Sequence, residues 1–213
     1  MLIRSEETGH EYIVEEDNWL SAVEYADSIG VDIITCSLGY TTFDDSIQNH
    51  CHIKLDGRTV RTSRAATMAA ARGIIVCVSA GNEGNSKWKY ISIPADADSI
   101  ITVGAVYPNG KYVEFSSIGP TVDNRIKPDL TAIGARTSYQ NSMGNIVRGN
   151  GTSYSTPLIA GLIACLWQAN PDKSNMEIIE MAKRSASHFE KPNSRYGYGI
   201  PDFSKIEIKE ILE

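Results

Sequence analysis

The chain has 213 residues, of which 42% are hydrophobic and 22% charged, and its net charge is −6. This length and composition predict one globular domain with a substantial core. Because lysine and arginine are scattered rather than clustered, the basic surface of a nucleic-acid-binding protein is missing, and we exclude that class. We also exclude a membrane span, since no apolar run reaches the roughly 20 residues required, and residues 1–12 lack the apolar core of a secretory signal.

The first predicted helix begins at Asp17 or Asn18, either of which can cap it. Its apolar face is formed by Trp19, Leu20, Val23 and Ala26. Gly30 ends the helix, because glycine adopts the left-handed conformation that commonly follows a last helical turn. Residues 31–37 (VDIITCS) then have the apolar, β-branched composition of a buried strand.

A second helix is predicted to open at Thr62 or Ser63 and to end at Gly73. Two further apolar runs of strand length follow, at residues 73–80 (GIIVCVSA) and 99–106 (SIITVGAV). Nearly all-apolar strands that alternate with helices are typical of a parallel sheet covered on both faces. The sequence therefore predicts a layered α/β fold with a mainly parallel sheet.

Residues 48–61 are predicted to form a surface β-hairpin, because Asp56-Gly57 is a strong two-residue turn signal between short alternating segments. On such a strand His50 and His52 would share one face, and histidines at this spacing can bind zinc. The sequence offers no evident third or fourth ligand, so we prefer a solvated hairpin and predict no metal site.

A long helix, apolar all round, is predicted at residues 151–169, and such a helix is normally central to its domain. We expect Pro157 to be tolerated there because its missing amide would fall in the first turn, where no intrahelical partner exists. Ser174 is predicted to cap an amphipathic helix, and the tail at residues 200–213 is predicted to end in a short charged helix.

The chain contains four cysteines, Cys36, Cys51, Cys77 and Cys165. All except Cys51 stand inside apolar runs, where buried free thiols are the expected state. We therefore predict no disulfide framework.

Ser153 stands at the start of the long helix, where a serine is ordinarily only a capping residue. Two loops change this interpretation, because residues 36–40 (CSLGY) and 78–85 (VSAGNEGN) each follow a buried strand. The carboxyl ends of parallel strands open on one edge of a sheet, where ligands of open α/β proteins bind. We expect both loops to border one site, although turn chemistry explains Gly81 and Gly84 equally well.

Four sequence motifs resemble, in content and in order, those of the subtilisin family of serine peptidases. They are DIITCSLGY (32–40), SAGNEGN (79–85), EFSSIGPTVDNRIKPDLTAIG (114–134) and GTSYSTPLIAG (151–161). The resemblance implies a three-layer subtilisin-like α/β fold with a mainly parallel sheet flanked by helices. It also implies that residues 1–213 form a partial catalytic domain, truncated at its N-terminus.

The same resemblance implies roles for individual residues. Ser153 looks like the nucleophile, and Asn82 looks like the side-chain donor that forms an oxyanion hole with the Ser153 backbone N–H. Removal of one such donor typically lowers kcat by about 10²–10³-fold. The positions similar to the family's substrate-binding residues are Ser37, Leu38, Gly39, Ala80 and Gly81.

The family's catalytic triad runs Asp, His, Ser along the chain, and the first two members are missing from the expected motifs. His10 is the only histidine before the CSLGY loop, and it lacks the glycine that follows the family's histidine. His188 is predicted at a helix end, where a cation suits the dipole. A serine hydroxyl without a base is a weak nucleophile, so we expect this chain alone to hydrolyse peptides negligibly.

The resemblance implies a serine endopeptidase that acts through an acyl-enzyme on Ser153, with a peptide or protein as substrate. The alternative is a non-catalytic peptide-binding or assembly subunit. An α/β-hydrolase is excluded because residues 151–155 lack the second glycine of the nucleophile elbow. Missing strands would expose apolar sheet edge, so we also expect self-association or pairing with the missing N-terminal segment.

No cofactor is predicted. Candidates for a structural calcium site are Asp44, Asp45, Asp96 and Asp98, although such carboxylate pairs are commoner in solvated loops. The resemblance further implies that the intact protein is secreted or belongs to the cell envelope.

Overall fold

The computed structural model describes residues 1–7 and 9–206. These residues form a four-stranded parallel sheet with helices on both faces and a separate two-stranded antiparallel ribbon. The three-layer α/β fold predicted from the sequence is confirmed. The tail at residues 200–213 is described only as far as residue 206, so the charged helix predicted at its end lies outside the described residues.

The parallel sheet has its strands in chain order: β1 (Ile33–Cys36), β2 (Ile75–Ser79), β3 (Ile101–Val106) and β4 (Leu130–Ile133). In its register, Ile33 lies opposite Ile75, Cys77 opposite Ile101 and Val103 opposite Leu130. The first three strands were predicted. β4 was not, because it directly follows the mainly polar and charged residues 121–129 and does not stand within a longer apolar run.

β2 shows why the strands are almost wholly apolar. Its side chains alternate between the two faces, so Val76 and Val78 join one core cluster while Ile75 and Cys77 join another. The first cluster lies under α1 (Val14–Ser28) and α2 (Arg61–Ala71), and the second under α3 (Thr152–Gln168) and α4 (Asn175–Ser185). Helices cover both faces of the sheet, so neither face is exposed to solvent and both carry mainly apolar side chains.

The predicted caps were right for one helix and wrong for two. Ser174 caps α4 in a reciprocal capping box with Glu177. α1 begins at Val14, ahead of the predicted Asp17 or Asn18, and α2 begins at Arg61, ahead of Thr62. The start of α1 is fixed by a buried carboxylate instead, because Glu15 accepts hydrogen bonds from the amides of Glu7 and Tyr12.

The β-hairpin predicted at residues 48–61 is wrong. The structure has two single 3₁₀ turns in this region, Ser46–Gln48 and His52–Lys54, and no strand. Gly57 has the positive φ of +71° that the predicted turn requires. Its amide donates to the buried carboxylate of Asp96 at 2.8 Å, which fixes this turn to the domain instead of to a second strand.

α3 lies across all four strands of the sheet, as its apolar sequence predicted. It is not buried all round, however, because Leu158 and Leu162 face outward and are exposed. The same outer side carries Cys165, which is exposed, so its predicted burial is wrong. Cys36 and Cys77 are buried as predicted, and all four cysteines are free thiols.

An antiparallel ribbon precedes α3 and was not predicted. It consists of β5 (Thr137–Gln140) and β6 (Ile146–Gly149). A methyl group added to Gly149 would lie 2.7 Å from Cε2 of Tyr154, so this glycine lets the ribbon pack against the first turn of α3. Across the part of the chain that the structure covers, no helix has both the length and the apolar character needed to cross a bilayer.

Candidate active site

A groove of about 240 Å³ opens where β1 and β2 end. Six of the residues expected at the site line this groove: Ser37, Leu38, Gly39, Gly81, Asn82 and Ser153. Six further lining residues were missed: Glu6, Glu11, Thr41, Ser79, Glu83 and Ser92. The predicted convergence of the two loops at one sheet edge is therefore observed.

Ala80 is the one predicted substrate-binding residue that the structure does not bring to the groove. Its side chain is fully buried in the core beneath α1 and α2. Side chains alternate at the end of β2, so Ala80 and Ser79 point to opposite sides, and Ser79 is the residue at the groove. The backbone carbonyl of Ala80 accepts a hydrogen bond from the Ser92 amide at 2.9 Å.

Ser153 is joined to Ser37 by two hydrogen bonds. The Ser153 hydroxyl donates to the Ser37 carbonyl at 3.3 Å, and the Ser37 hydroxyl donates to the Ser153 carbonyl at 3.1 Å. The end of β1 is thereby fixed to the start of α3. The half-buried Ser153 hydroxyl faces the groove without a base as its hydrogen-bond partner.

Asn82 is fixed to the same helix start through Thr152, which is fully buried. Oδ1 of Asn82 accepts a hydrogen bond from the Thr152 amide at 2.8 Å and another from the Thr152 hydroxyl at 3.1 Å. The Thr152 Oγ1 in turn accepts from the Gly81 amide at 3.2 Å. Because both bonds to Asn82 use its oxygen, the side-chain amide nitrogen Nδ2 is left as a donor.

The donors of Asn82 and Ser153 border one small space. A methyl group placed on Gly151 would lie 3.6 Å from Nδ2 of Asn82 and 3.7 Å from the backbone nitrogen of Ser153. Ser153 is the second residue of α3, so its amide is one of those that have no intrahelical acceptor. Two donors at a helix N-terminus are the arrangement that stabilises a negatively charged oxygen.

Pro157 is the sixth residue of α3, so our explanation that its missing amide falls among the unpaired first-turn groups was wrong. An amide at this position would donate to the carbonyl of Ser153, four residues earlier. The proline leaves that carbonyl free, and the Ser37 hydroxyl satisfies it. The proline thus makes possible the contact between β1 and the helix start.

No histidine is among the lining residues of the groove within the described part of the chain. His10 pairs with Asp44 at 3.0 Å on the surface, and His188 stacks on Tyr196. His50 forms a buried pair with Glu16, and His52 packs on the ring of Tyr90. Since His50 and His52 contact different elements, the shared face expected from a hairpin does not exist.

The groove carries concentrated negative charge. Burial raises the pKa of Glu6, and the nearby Glu15 and Glu11 carboxylates raise it further. Burial also raises the pKa of Glu11, with Glu15 and Asp44 acting in the same direction. No pattern in the sequence pointed to Glu6 and Glu11, whereas Glu83 could have been found because it directly follows Asn82.

Each of the four carboxylates considered for calcium interacts with a hydrogen-bonding group of the protein. Asp44 contacts His10, and Asp45 caps the turn at Ser46–Gln48. Asp96 accepts from Gly57 and Ser63, and Asp98 accepts from the Ser99 amide. Among residues 1–7 and 9–206, no group of three or more His, Cys, Asp or Glu side chains could hold a metal ion.

Comparison with known proteins places this arrangement in a family. The model of the subtilase family, Peptidase_S8, matches residues 11–199. The chain belongs to the subtilase family. This confirms the resemblance that the four motifs indicated.

Two curated subtilases illustrate the sequence similarity. Serine protease AprX of Bacillus subtilis (strain 168) is 35% identical over an alignment of 159 residues, and the match covers 64% of this chain and 36% of AprX. Subtilisin NAT of Bacillus subtilis subsp. natto is 28% identical over 185 residues, which are 86% of this chain and 43% of subtilisin NAT. The chain therefore spans less than half the length of these relatives.

Solved structures support the fold. The self-cleaved protease domain of PatA has a TM-score of 0.69 and 22% identity, and the match covers 89% of this chain and 65% of that domain. MycP1 from Mycobacterium smegmatis has a TM-score of 0.66 and 22% identity, with 88% of this chain and 53% of MycP1 covered. At this identity the similarity establishes the subtilisin-like fold alone.

Proposed function

We propose that the protein is a subtilisin-like serine endopeptidase that hydrolyses peptide bonds through an acyl-enzyme on Ser153. Asn82 and the Ser153 backbone N–H act as oxyanion-hole donors. Ser37, Leu38, Gly39 and Gly81 line the groove for the substrate chain. Membership of the subtilase family supports this proposal.

The observation that carries the proposal is the shared space at Gly151. Nδ2 of Asn82 and the nitrogen of Ser153 both lie within 3.7 Å of one point there. Oδ1 of Asn82 is held by Thr152, so the amide group cannot turn over without losing two hydrogen bonds. The donor is therefore preorganised, which is the property that makes such groups effective in catalysis.

In the proposed reaction, the Ser153 oxygen attacks the scissile carbonyl and its proton passes to a base. The carbonyl oxygen becomes an oxyanion that accepts hydrogen bonds from Asn82 Nδ2 and the Ser153 amide. Collapse of the tetrahedral intermediate expels the amine, which takes a proton from the protonated base. Water then hydrolyses the acyl group and restores the serine.

No histidine among the described residues lines the groove, and on this ground we propose that the general base comes from another part of the protein. We propose that the 213-residue chain alone has negligible activity and that an Asp- and His-bearing segment completes the triad. The same observation favours the second candidate, a non-catalytic subunit that binds peptides in the groove without cleaving them.

The test compares hydrolysis of casein and fluorogenic peptides by the complete natural protein and by its variants. Ser153→Ala should abolish turnover, and Asn82→Ala should lower kcat by about 10²–10³-fold. Asn85→Ala, in the same loop but not at the groove, is the matched control and should retain activity. Undiminished turnover in Ser153→Ala contradicts the proposal, and peptide binding without hydrolysis by the wild type supports the second candidate.

We also propose that the triad-bearing segment binds along β1. This strand pairs with β2 on one side only, and its outer edge borders a cavity of about 480 Å³. The apolar side chains that line the cavity include Leu2, Ile33, Ile34 and Leu38. An added strand would satisfy the open backbone edge and bury these side chains.

Sedimentation velocity of the isolated 213-residue chain tests this edge. If β1 is a pairing edge, the chain should self-associate as concentration rises, and Ile34→Lys should weaken association because it places a charge beside the edge. Leu162→Lys, on the exposed outer side of α3, is the control. A chain that stays monomeric across a wide concentration range contradicts the proposed edge.

On the resemblance to exported subtilases, we propose that the complete protein acts outside the cell or in the cell envelope. Fractionation of cells that produce the complete protein tests this. Recovery in the culture medium or envelope fraction is expected, and recovery only with cytoplasmic markers contradicts it.

A further inference from the structure

The groove beside Ser153 combines several negative charges with no positive charge. Glu6, Glu11 and Glu83 line it, and none of its lining residues within the described chain is Lys, Arg or His. These three carboxylates come from the segment before α1 and from the loop after β2, so they face the groove from different sides. A bound side chain would therefore meet a negative potential throughout the groove.

A serine at the groove wall, whose hydroxyl has no protein partner, is an independent indication of a ligand. Ser79 lines the groove and is only 3% exposed, and its hydroxyl makes no hydrogen bond to any residue in the described part of the chain. Its hydroxyl is therefore free to accept a hydrogen bond from a polar group that enters the groove.

Ser92 adds a second polar group at the base of the groove. It is 3% exposed, and its hydroxyl donates only a long bond of 3.4 Å to the Ala80 carbonyl. Its side chain fills the space between the two loops, since methyl groups on Gly39 or Gly81 would meet Ser92 Cβ at 2.8 and 3.4 Å. The base of the groove is thus formed by a serine and not by the apolar side chains of the core.

Repulsion among the carboxylates favours a cationic ligand. Burial and the nearby Glu15 and Glu11 carboxylates raise the pKa of Glu6. Burial and the Glu15 and Asp44 carboxylates likewise raise the pKa of Glu11. A cation placed among these groups would relieve the repulsion. An ammonium or guanidinium group also has only donors, which match carboxylate and hydroxyl acceptors.

We propose that this groove selects peptides that present a lysine or arginine side chain, with Glu6 and Glu11 as specificity-determining residues. The inference rests on the proposed peptide-binding site, and it adds the class of side chain that the site accepts. Apolar side chains of the same length would leave Ser79 unsatisfied and the carboxylates uncompensated, so the groove discriminates against them.

The test measures binding of fluorescent alanine hexapeptides to the complete protein carrying Ser153→Ala, so that no peptide is cleaved. Lysine is placed at each position in turn and compared with norleucine, which has a similar length and no charge. We expect one position at which lysine binds about tenfold more tightly than norleucine. Added salt should weaken binding of the lysine peptide and leave the norleucine peptide unaffected.

Glu6→Gln and Glu11→Gln should each lower the lysine-to-norleucine ratio by about threefold. The matched control is Glu190→Gln, which removes one exposed charge away from the groove and should leave the ratio unchanged. The glutamine variants retain the side-chain shape, and their thermal unfolding midpoints report whether they fold.

The outcomes separate the inference from the proposed function. Equal binding of lysine and norleucine peptides at every position overturns the inference while peptide binding itself stands. Tighter binding of a glutamate peptide also overturns it. If no peptide binds and the wild-type protein hydrolyses none, both the inference and the proposed function are overturned.

Discussion

The hydroxyls of Ser37 and Ser153 each donate to the backbone carbonyl of the other residue, at 3.1 and 3.3 Å. One of these carbonyls is free because Pro157 provides no amide to it. The proline, the strand end and the helix start therefore act together. This relationship makes the position of Ser153 depend on residues far apart in the sequence.

A double-mutant cycle tests this dependence. Ser37→Ala should lower the free energy of unfolding by about 1 kcal/mol, because the Ser153 carbonyl loses its donor. In a Pro157→Ala background the restored amide can donate to that carbonyl, so Ser37→Ala should cost less. We expect a coupling of about 0.5–1 kcal/mol from urea unfolding. Additive effects of the two substitutions would contradict the shared role of the carbonyl.

Gly39 is required because Ser92 occupies the space beside its α-carbon. A methyl group there would lie 2.8 Å from Ser92 Cβ and closer still to its hydroxyl oxygen. Gly39→Ala should therefore destabilise the fold by about 1–3 kcal/mol. Replacing Ser92 by glycine in the same protein should restore much of the loss.

Gly161→Ala is the control for that pair, since no atom lies within 4 Å of the added carbon in α3. It should be neutral or stabilising by up to about 1 kcal/mol, because alanine is the better helix former. Chemical denaturation measures all of these variants. Failure of Ser92→Gly to relieve Gly39→Ala would show that the glycine is needed for another reason.

Asp129 binds two lysines inside the protein. Its carboxylate accepts from Lys127 and from Lys183 of α4, both at 2.7 Å, and it is almost fully buried. Asp129→Asn should lower the free energy of unfolding by about 3–5 kcal/mol, because it leaves buried ammonium groups without a counter-charge. Glu180→Gln, which breaks an exposed pair with Arg184, should cost less than about 1 kcal/mol.

Acid unfolding should also depend on Asp129. Burial alone would raise its pKa, but the two ammonium groups outweigh burial and lower the pKa to about 2. The unfolded value is about 4, so this stabilisation is present above pH ~4 and is lost as the pH falls towards ~2. The lowered pKa of Asp129 corresponds to about 2 kcal/mol of stabilisation. Burial lowers the pKa of Lys127, and this cost reduces the stabilisation that the Lys127–Asp129 pair contributes overall.

The pH dependence of unfolding between those limits measures this contribution. Wild-type stability should fall across the window, and the Asp129→Asn protein should show a smaller change because it lacks the titrating group. Identical slopes for the two proteins would contradict the assignment.

The cysteines should divide into two classes towards a thiol reagent. Cys51 and Cys165 are exposed and should react rapidly in the native protein. Cys36 and Cys77 are buried, and burial raises the pKa of both thiols, that of Cys77 to about 12. They should react only after denaturation. Rapid native labelling of Cys77, identified by peptide mapping, would contradict its position in the core.

The sequence by itself determined the alternation of helices and strands, the family and the identity of Ser153 and Asn82 as site candidates. Each of these features depends on residues that are close together in the sequence, either a periodic pattern of hydrophobic residues or a short motif. The hairpin at 48–61 failed for the opposite reason. Its turn signal was genuine, but a buried aspartate distant in sequence, Asp96, bound Gly57 and replaced the strand pairing.

Only the tertiary structure decided which side chains share the groove. It placed Ser79 at the groove and Ala80 in the core, and it brought Glu6 and Glu11 beside Glu83. Residues separated by more than 70 positions carry no common local pattern, and their proximity follows from how the sheet and α3 pack. The charge of the groove, and with it the proposed preference for cationic side chains, is therefore a property of the packed chain and of no single segment.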